Sequence, residues 1–331
     1  MTDIADIQHA FASGQITKPQ YIAQMHEAHA ALFAYAAFVR ESGVVSVELK
    51  DGKVMMTTRD HGITMVCPEH ALRTAALEIL NFGAYEETEM QMILRMLAAL
   101  GKEDAVFFDV GANHGWYALH VAKLFPRMTV VAFEPIPETF RTLTDNIALN
   151  GLPNIHAKNI GLSDRDGIVD FYHTPSEPGN ASLHNLEWGK DSGIRMFPSA
   201  TVRCRVRTMD RVVREHSLTV DFIKCDVEGA ERLVIAGGLE IITAQLPVLF
   251  MELLRKWSAR FQYEPNDVIR MLSQIGYRCF TAYEHGLASF ESMDERTVET
   301  NFFFLHAAKH RALIESLEKP RNVASFRSFC P

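Results

Sequence analysis

No apolar run in the chain approaches the ~20 residues that a bilayer-spanning helix needs. The longest, residues 30–39, is far shorter and carries Tyr35, so no transmembrane helix is expected. The opening MTDIADIQHAF has no basic stretch ahead of an apolar one, so no secretory signal is expected. Cysteine is scarce: Cys67, Cys204, Cys225, Cys279 and Cys330 form no CxxC pair, and none stands beside a histidine at zinc-ligand spacing. Reduced, mostly buried thiols in a cytoplasmic protein are the expectation. Positive charge is in deficit, with 33 Lys and Arg against 41 Asp and Glu, a net charge of −8. That argues against general affinity for phosphate backbones, and no nucleic-acid partner is expected. Internal repeats and low-complexity tracts are absent. What remains is ordinary globular composition, 47% hydrophobic and 22% charged over 331 residues. Such a chain can bury a large core without disulfides or metals.

The pattern changes near residue 100. Residues 1–100 read as a mixed leader of helices and a hairpin. Residues 18–39 read as one helix, with Thr17 as N-cap and Pro19 in the first turn. Asp51-Gly52 joins two alternating runs and signals a hairpin. Residues 86–100 place Met90, Ile93, Leu94 and Leu97 on one helical face. The leader is expected to cap the cleft or to form a homodimer contact. From 101 to about 310 strands alternate with helices: AVFFDV, TVVAFE, IHAKNI, VDFIKCDV and LPVLFMEL, then YRCFTA and FFFLH. This alternation predicts an α/β parallel sheet with helices on both faces and ligand beyond the carboxyl ends of its strands. Residues 165–207 interrupt it. IVDFYH and ATVRCRVRT alternate like antiparallel strands around a Gly-, Pro- and Ser-containing loop that includes Leu186 and Trp188, a candidate lid or substrate loop. Residues 311–331 form a C-terminal tail, and its end, KPRNVASFRSFCP, is basic and expected to be poorly ordered.

The strongest chemical signal is FDVGANHG, residues 108–115. A strand ends on Asp109 and a tight turn flanked by Gly111 and Gly115 leads into a helix. Counted from Gly111, the remaining glycine positions of GxGxxG hold Asn113 and Trp116, so the dinucleotide fingerprint fails. Asp109 would also repel a diphosphate placed over the loop, and it suits a ligand with a cationic part. The next strand ends at Glu134, where a carboxylate can accept from both hydroxyls of a ribose. A glycine loop without diphosphate features, a ribose acid and a partner for a cation together describe S-adenosyl-L-methionine.

The runs FDVGANHGWY, FEPIPETF, GLSDRDG and DFIKCDVEGAE, in that order, resemble the FkbM-type S-adenosylmethionine-dependent methyltransferases. FGAYEETE, residues 82–89, resembles that family's lead-in helix. The resemblance implies a class I, Rossmann-like fold of seven strands, mostly parallel with the last antiparallel, preceded here by the α+β leader. It also implies O-methylation of sugar hydroxyls or polyketide-like products. Carried over by motif, Asp109, Gly111, Asn113 and Gly115 are the cofactor loop, with Asn113 also able to cap the following helix. Glu134 is the ribose acid. Ser163 and Asp164 fall in the region against the adenine, although SDRDG is also a good turn. Asp226, Glu228, Gly229 and Glu231 match the signature after the fourth strand.

An alcohol is a poor nucleophile until its proton is removed, so methylation needs a base or a metal. Asp226 is expected near the methyl donor and Glu228 as substrate contact or base; Lys224 is placed to keep one of them ionised. Glu231 reads as helix stabilisation. His184, in GNASLHN, is a second candidate base, with His114 behind it. Asn180, Ser182, Glu252 and Asn301 are candidate substrate contacts. A divalent metal on Asp226 and Glu252 is the disfavoured alternative, because Leu253 stands where metal-dependent relatives carry Asn; no metal ligand is assigned. The expected activity is O-methyl transfer to a small-molecule or glycan hydroxyl. The alternatives are a polyketide or peptide acceptor, a nucleotide-binding oxidoreductase, or a non-catalytic S-adenosylmethionine binder.

Overall fold

The computed structural model describes residues 3–174, 181–183, 200–284 and 286–318. The leader begins with helices α1 (Ile4–Ala12), α2 (Lys18–Ala28) and α3 (Ala30–Glu41). Thr17 caps α2 in a reciprocal box with Gln20. The single helix expected over 18–39 is broken at His29, whose N–H closes back on Met25 while its carbonyl starts the next helix. Neither α2 nor α3 contains a buried residue, so no packed face holds the two in line.

Strands β1 (Val44–Lys50), β2 (Lys53–Thr58) and β3 (Thr64–Cys67) form an antiparallel sheet. Lys50 pairs with Lys53 across Asp51-Gly52, and both turn residues take positive φ, as a two-residue hairpin requires. Helices α4 (Ala75–Phe82) and α5 (Glu87–Leu100) follow, and then the α/β body. Its elements are β4 (Val106–Val110), α6 (Trp116–Leu124), β5 (Thr129–Phe133), α7 (Pro137–Asn150) and β6 (Ile155–Lys158). The inserted strands β7 (Gly161–Leu162), β8 (Gly167–His173) and β9 (Ala200–Arg207) come next. The body resumes with α8 (Met209–His216), β10 (Phe222–Cys225), α9 (Glu231–Ala236), α10 (Leu239–Gln245) and β11 (Val248–Glu252). It closes with α11 (Arg255–Ser258), α12 (Pro265–Gln274), β12 (Tyr277–Tyr283), β13 (Gly286–Phe290), β14 (Asn301–His306) and α13 (Arg311–Leu317).

The main sheet runs β6-β5-β4-β10-β11-β14-β12-β13. Strands β4, β5, β6, β10 and β11 are mutually parallel, and β14 lies antiparallel between β11 and β12. The expected seven strands are therefore present. Strand β13 adds an eighth at the edge, through a hairpin that pairs Tyr283 with Gly286. Alternate residues face opposite layers, as the two-residue period of a strand demands. Phe107, Phe222, Phe250 and Phe303 pack towards α5 and α6, whereas Phe108, Phe133, Phe302 and Phe304 pack towards α8 to α10 and α12. Each such ring stabilises the sheet by about 2–3 kcal/mol relative to exposure.

From residue 44 onward the leader shares the first of these cores: Val44, Met56, Met65, Ile79 and Ile93 pack in one cluster with Phe107 and Ala118. Two asparagines one turn apart on α7 stitch the layers. Asn146 accepts from Val66 N–H at 2.8 Å and donates to the His114 carbonyl at 2.9 Å, and Asn150 bonds both backbone groups of Thr64. No described helix is long and apolar enough to cross a membrane.

Candidate active site

Strand order reverses between β4 and β10, and a cavity of about 310 Å³ opens there, over the carboxyl ends of the parallel strands. The size suits a drug-sized ligand. Of the residues expected at the site, Gly111, Asn113, Glu134, Asp226, Glu228 and Glu252 line it.

Gly111 has φ +76, and a Cβ on it would stand 1.8 Å from the Asp226 carbonyl oxygen. The glycine is thus demanded by the closeness of the β4 loop to the end of β10, as well as by its left-handed backbone. Gly115 has φ +92 and a Cβ there would meet Leu143, so it serves helix packing beneath the cavity.

Asp109 does not line the cavity. It is fully buried, with Oδ2 accepting Ala118 N–H at 3.0 Å and Oδ1 3.3 Å from Lys224 Nζ. The cation it faces is the chain's own. Lys224 also donates to the Gly111 carbonyl at 2.7 Å and lies 3.7 Å from Asp226. Burial works against its charge, but Asp109, Asp226 and Glu86 outweigh burial and hold its pKa above the usual lysine range. Lys224 therefore ties the glycine loop to the acidic signature strand, and spacing alone does not reveal its reach to Gly111.

Glu134 stands at the end of β5 with both oxygens engaged by backbone: Oε1 accepts Ile136 N–H at 2.8 Å and Oε2 accepts Asn113 N–H at 3.0 Å. Burial pushes its pKa up to about 7 against those two bonds. Each oxygen keeps a further lone pair for a ligand hydroxyl. Around this end the wall is apolar: Phe133, Leu162, Phe171, Leu183 and Val206. Three of those come from the inserted sheet, in which β9 pairs parallel with β7 and antiparallel with β8. Ser163 and Asp164, expected against the adenine, do not line the cavity; Ser163 Oγ turns to the Asp164 carboxylate.

The opposite end is acidic. Carboxylate oxygens of Asp226, Glu228 and Glu252 lie within 4.8 Å of one another. Burial and the Asp226 charge push both Glu228 and Glu252 well above the usual carboxylate range. Tyr85 and Glu86, to which the sequence pattern gives no role beyond the lead-in FGAYEETE, complete this wall. An acid at the start of a helix reads as a partner for the helix dipole, so nothing in the spacing singles Glu86 out. Lys256 and Trp257 line the rim, the ammonium 4.2 Å from the ring centroid. Glu86, Asn113 and Glu228 all have left-handed backbone, with φ of 46, 49 and 54. Such conformations cost a non-glycine residue of order 1 kcal/mol and gather at functional sites.

Ser182 is buried and donates to the Glu228 carbonyl at 3.0 Å, holding the inserted segment against the signature loop. Asn301 pairs with Glu252 across β14 and β11, and its amide donates to Glu89. Glu231 accepts from the backbone N–H groups of Val227 and Gly229 and from the Tyr263 hydroxyl, which gives it a structural role inside the loop. His184 and Asn180 lie outside the described residues.

The strand order β6-β5-β4-β10-β11-β14-β12, with β14 antiparallel and the cavity at the switch between β4 and β10, defines a Rossmann-like α/β fold of the class I methyltransferase kind. The family model for the Methyltransferase FkbM domain matches residues 109–279, just over half of the chain, and the chain belongs to that family. It is similar to methyltransferase sdnD of Sordaria araneosa, 31% identical over 39% of this chain and 58% of that protein. The 2-O-methyltransferase NoeI of Sinorhizobium fredii is 29% identical over 45% of this chain and 63% of NoeI. The hexuronic acid methyltransferase AglP of Haloferax volcanii is 26% identical over 56% of this chain and 68% of AglP. The chain thus spans under two thirds of sdnD and NoeI.

Proposed function

We propose that the protein transfers a methyl group from S-adenosyl-L-methionine to a hydroxyl of a carbohydrate or glycan precursor. The observation that carries this reading is one cavity with a ribose-type acid in an apolar pocket at one end and clustered carboxylates at the other. The residues fit the donor. Asn113 Oδ1 is buried without a hydrogen-bond partner beside Glu134, and it can accept from a ligand N–H or O–H. Glu134 would take the ribose hydroxyls, and Phe133, Leu162, Phe171 and Val206 would cover the adenine. Asp226, fixed through Lys224, would face the positively charged end. When bound, the donor supplies a methyl carbon on a sulfonium leaving group. The chain's own work is to hold the acceptor oxygen in line with that carbon and to accept its proton, and such positioning alone can supply several kcal/mol of the barrier reduction.

The glycan preference rests on NoeI, named a 2-O-methyltransferase, and AglP, named for hexuronic acid. The test is transfer of labelled methyl from S-adenosylmethionine to a panel of sugars, sugar nucleotides, oligosaccharides, polyketides and peptides. Label on a sugar hydroxyl is the expected result. Label on polyketide or peptide alone removes the glycan assignment, and absence of transfer to any acceptor removes the activity.

A further inference from the structure

Glu86 lies upstream of the stretch the family model matches. It stands at the N-cap position of α5 in left-handed backbone, φ 46 and ψ 43, and its side chain makes no capping bond. The side chain serves the cavity wall instead. Its Oε2 accepts the Tyr117 hydroxyl at 2.7 Å. Tyr85, the neighbouring wall residue, also hydrogen-bonds the Glu86 side chain, so two hydroxyls hold the carboxylate at the cavity wall. A carboxylate held by hydroxyl donors on the wall of a ligand-sized cavity is placed as a general base must be.

We propose that Glu86 takes the proton of the acceptor hydroxyl during methyl transfer, with Tyr117 as its positioning residue. The inference rests on the methyl-transfer reading. The hydroxyl O–H bond breaks and the proton passes to the Glu86 carboxylate. The oxygen's electron pair forms the new O–C bond, while the C–S bond breaks and its pair stays on sulfur, turning sulfonium into thioether. Glu86 then returns the proton to water.

The groups around Glu86 favour this role. Tyr85 and Glu89 belong to its own segment, Tyr117 faces it from α6, Lys224 and Asp226 from β10, and Glu252 from β11. Burial and Asp226 raise its pKa and the Tyr117 hydrogen bond and Lys224 lower it, leaving it at about 7. A base so poised balances being ionised against being able to hold a proton. Glu228 contrasts with it. Burial, Asp226 and Glu231 push it well above the carboxylate range, and its Oε2 is buried without a partner.

The experiment measures kcat against pH with the acceptor that the panel returns, for the wild type, Glu86→Gln and Tyr117→Phe. Wild-type kcat rises with pH to a plateau above about 7. Glu86→Gln loses that rising limb and about 100-fold or more in plateau kcat, with S-adenosylhomocysteine affinity within about twofold of wild type. Tyr117→Phe keeps the limb but moves it to higher pH, which a purely structural role would not do. An arm without acceptor titrates S-adenosylmethionine calorimetrically at about pH 6.5 in two buffers of different ionisation enthalpy. Wild type should release more protons than Glu86→Gln. A limb that survives in Glu86→Gln, equal proton release, or a loss confined to donor affinity would each overturn the assignment. Absence of wild-type transfer to every acceptor would instead remove the methyl-transfer reading.

Discussion

The two ends of the cavity are built by different means. The acidic end is made by strand termini of the main sheet, Asp226 after β10 and Glu252 ending β11, with Glu86 from the turn before α5. The apolar end is closed by the inserted strands, through Leu162, Phe171 and Val206. At the first end the backbone course of a parallel sheet dictates where side chains emerge. At the second, placement depends on β9 finding β7 and β8 across a long insertion. Clustered charge therefore sits on the parallel-sheet part of the fold, and the apolar wall sits on the part that insertions can remodel.

The comparison is broken most severely by removing the cation behind the acidic end. Lys224→Met leaves Asp109 buried and unpaired, and should cost about 3–5 kcal/mol in urea unfolding. Adding Asp109→Asn should recover part of that loss; a single variant within ~0.5 kcal/mol of wild type would show the pair to be dispensable. At the other end, Glu134→Ala should weaken S-adenosylhomocysteine by roughly 10- to 100-fold in calorimetry, the worth of hydrogen bonds to a charged group. Phe171→Ala should weaken the same ligand by about tenfold, with much less effect on transfer once the donor is saturating. A larger effect on kcat than on binding would mean that the inserted sheet contributes to the acidic end as well.

The smallest effect separates the ends by pH. Burial pushes Glu86, Glu134 and Glu231 up to about 7. Their folded state holds protons that the unfolded chain has already released, so stability falls as pH rises from about 4.5 to about 7, and Glu228 and Glu252, also pushed well above the usual range, add to the fall. A cationic ligand favours the ionised acids, so the melting-temperature shift given by S-adenosylmethionine should grow over the same window. S-adenosylhomocysteine, which lacks the sulfonium charge, should show a weaker trend, and identical trends for the two ligands would detach the acidic end from the sulfur.

Much of this architecture is legible in the amino-acid sequence. Asp109, Glu134, Asp226 and Glu252 each close an apolar strand, and the period of those strands places the acids at one edge of a parallel sheet. The Asp51-Gly52 hairpin and the Thr17 cap are local chemistry and take the form that chemistry dictates. Asp109 shows the limit. Its position suits a cofactor loop, yet its charge is spent on Lys224 and on the start of α6. Tyr85 and Glu86 do not stand out as site residues in the sequence, because only the turn from α4 into α5 brings them over the sheet.

The order of residues alone determined the alternation of strand and helix, the failed dinucleotide fingerprint and the line of acids at the strand ends. These follow from side-chain periodicity and turn chemistry, which act over a few neighbours. The tertiary structure decided which acids share a cavity, which of them Lys224 and Tyr117 hold in place, and what covers the apolar end. Those outcomes depend on burial and on contacts between segments far apart in the chain, and neither is encoded in local spacing.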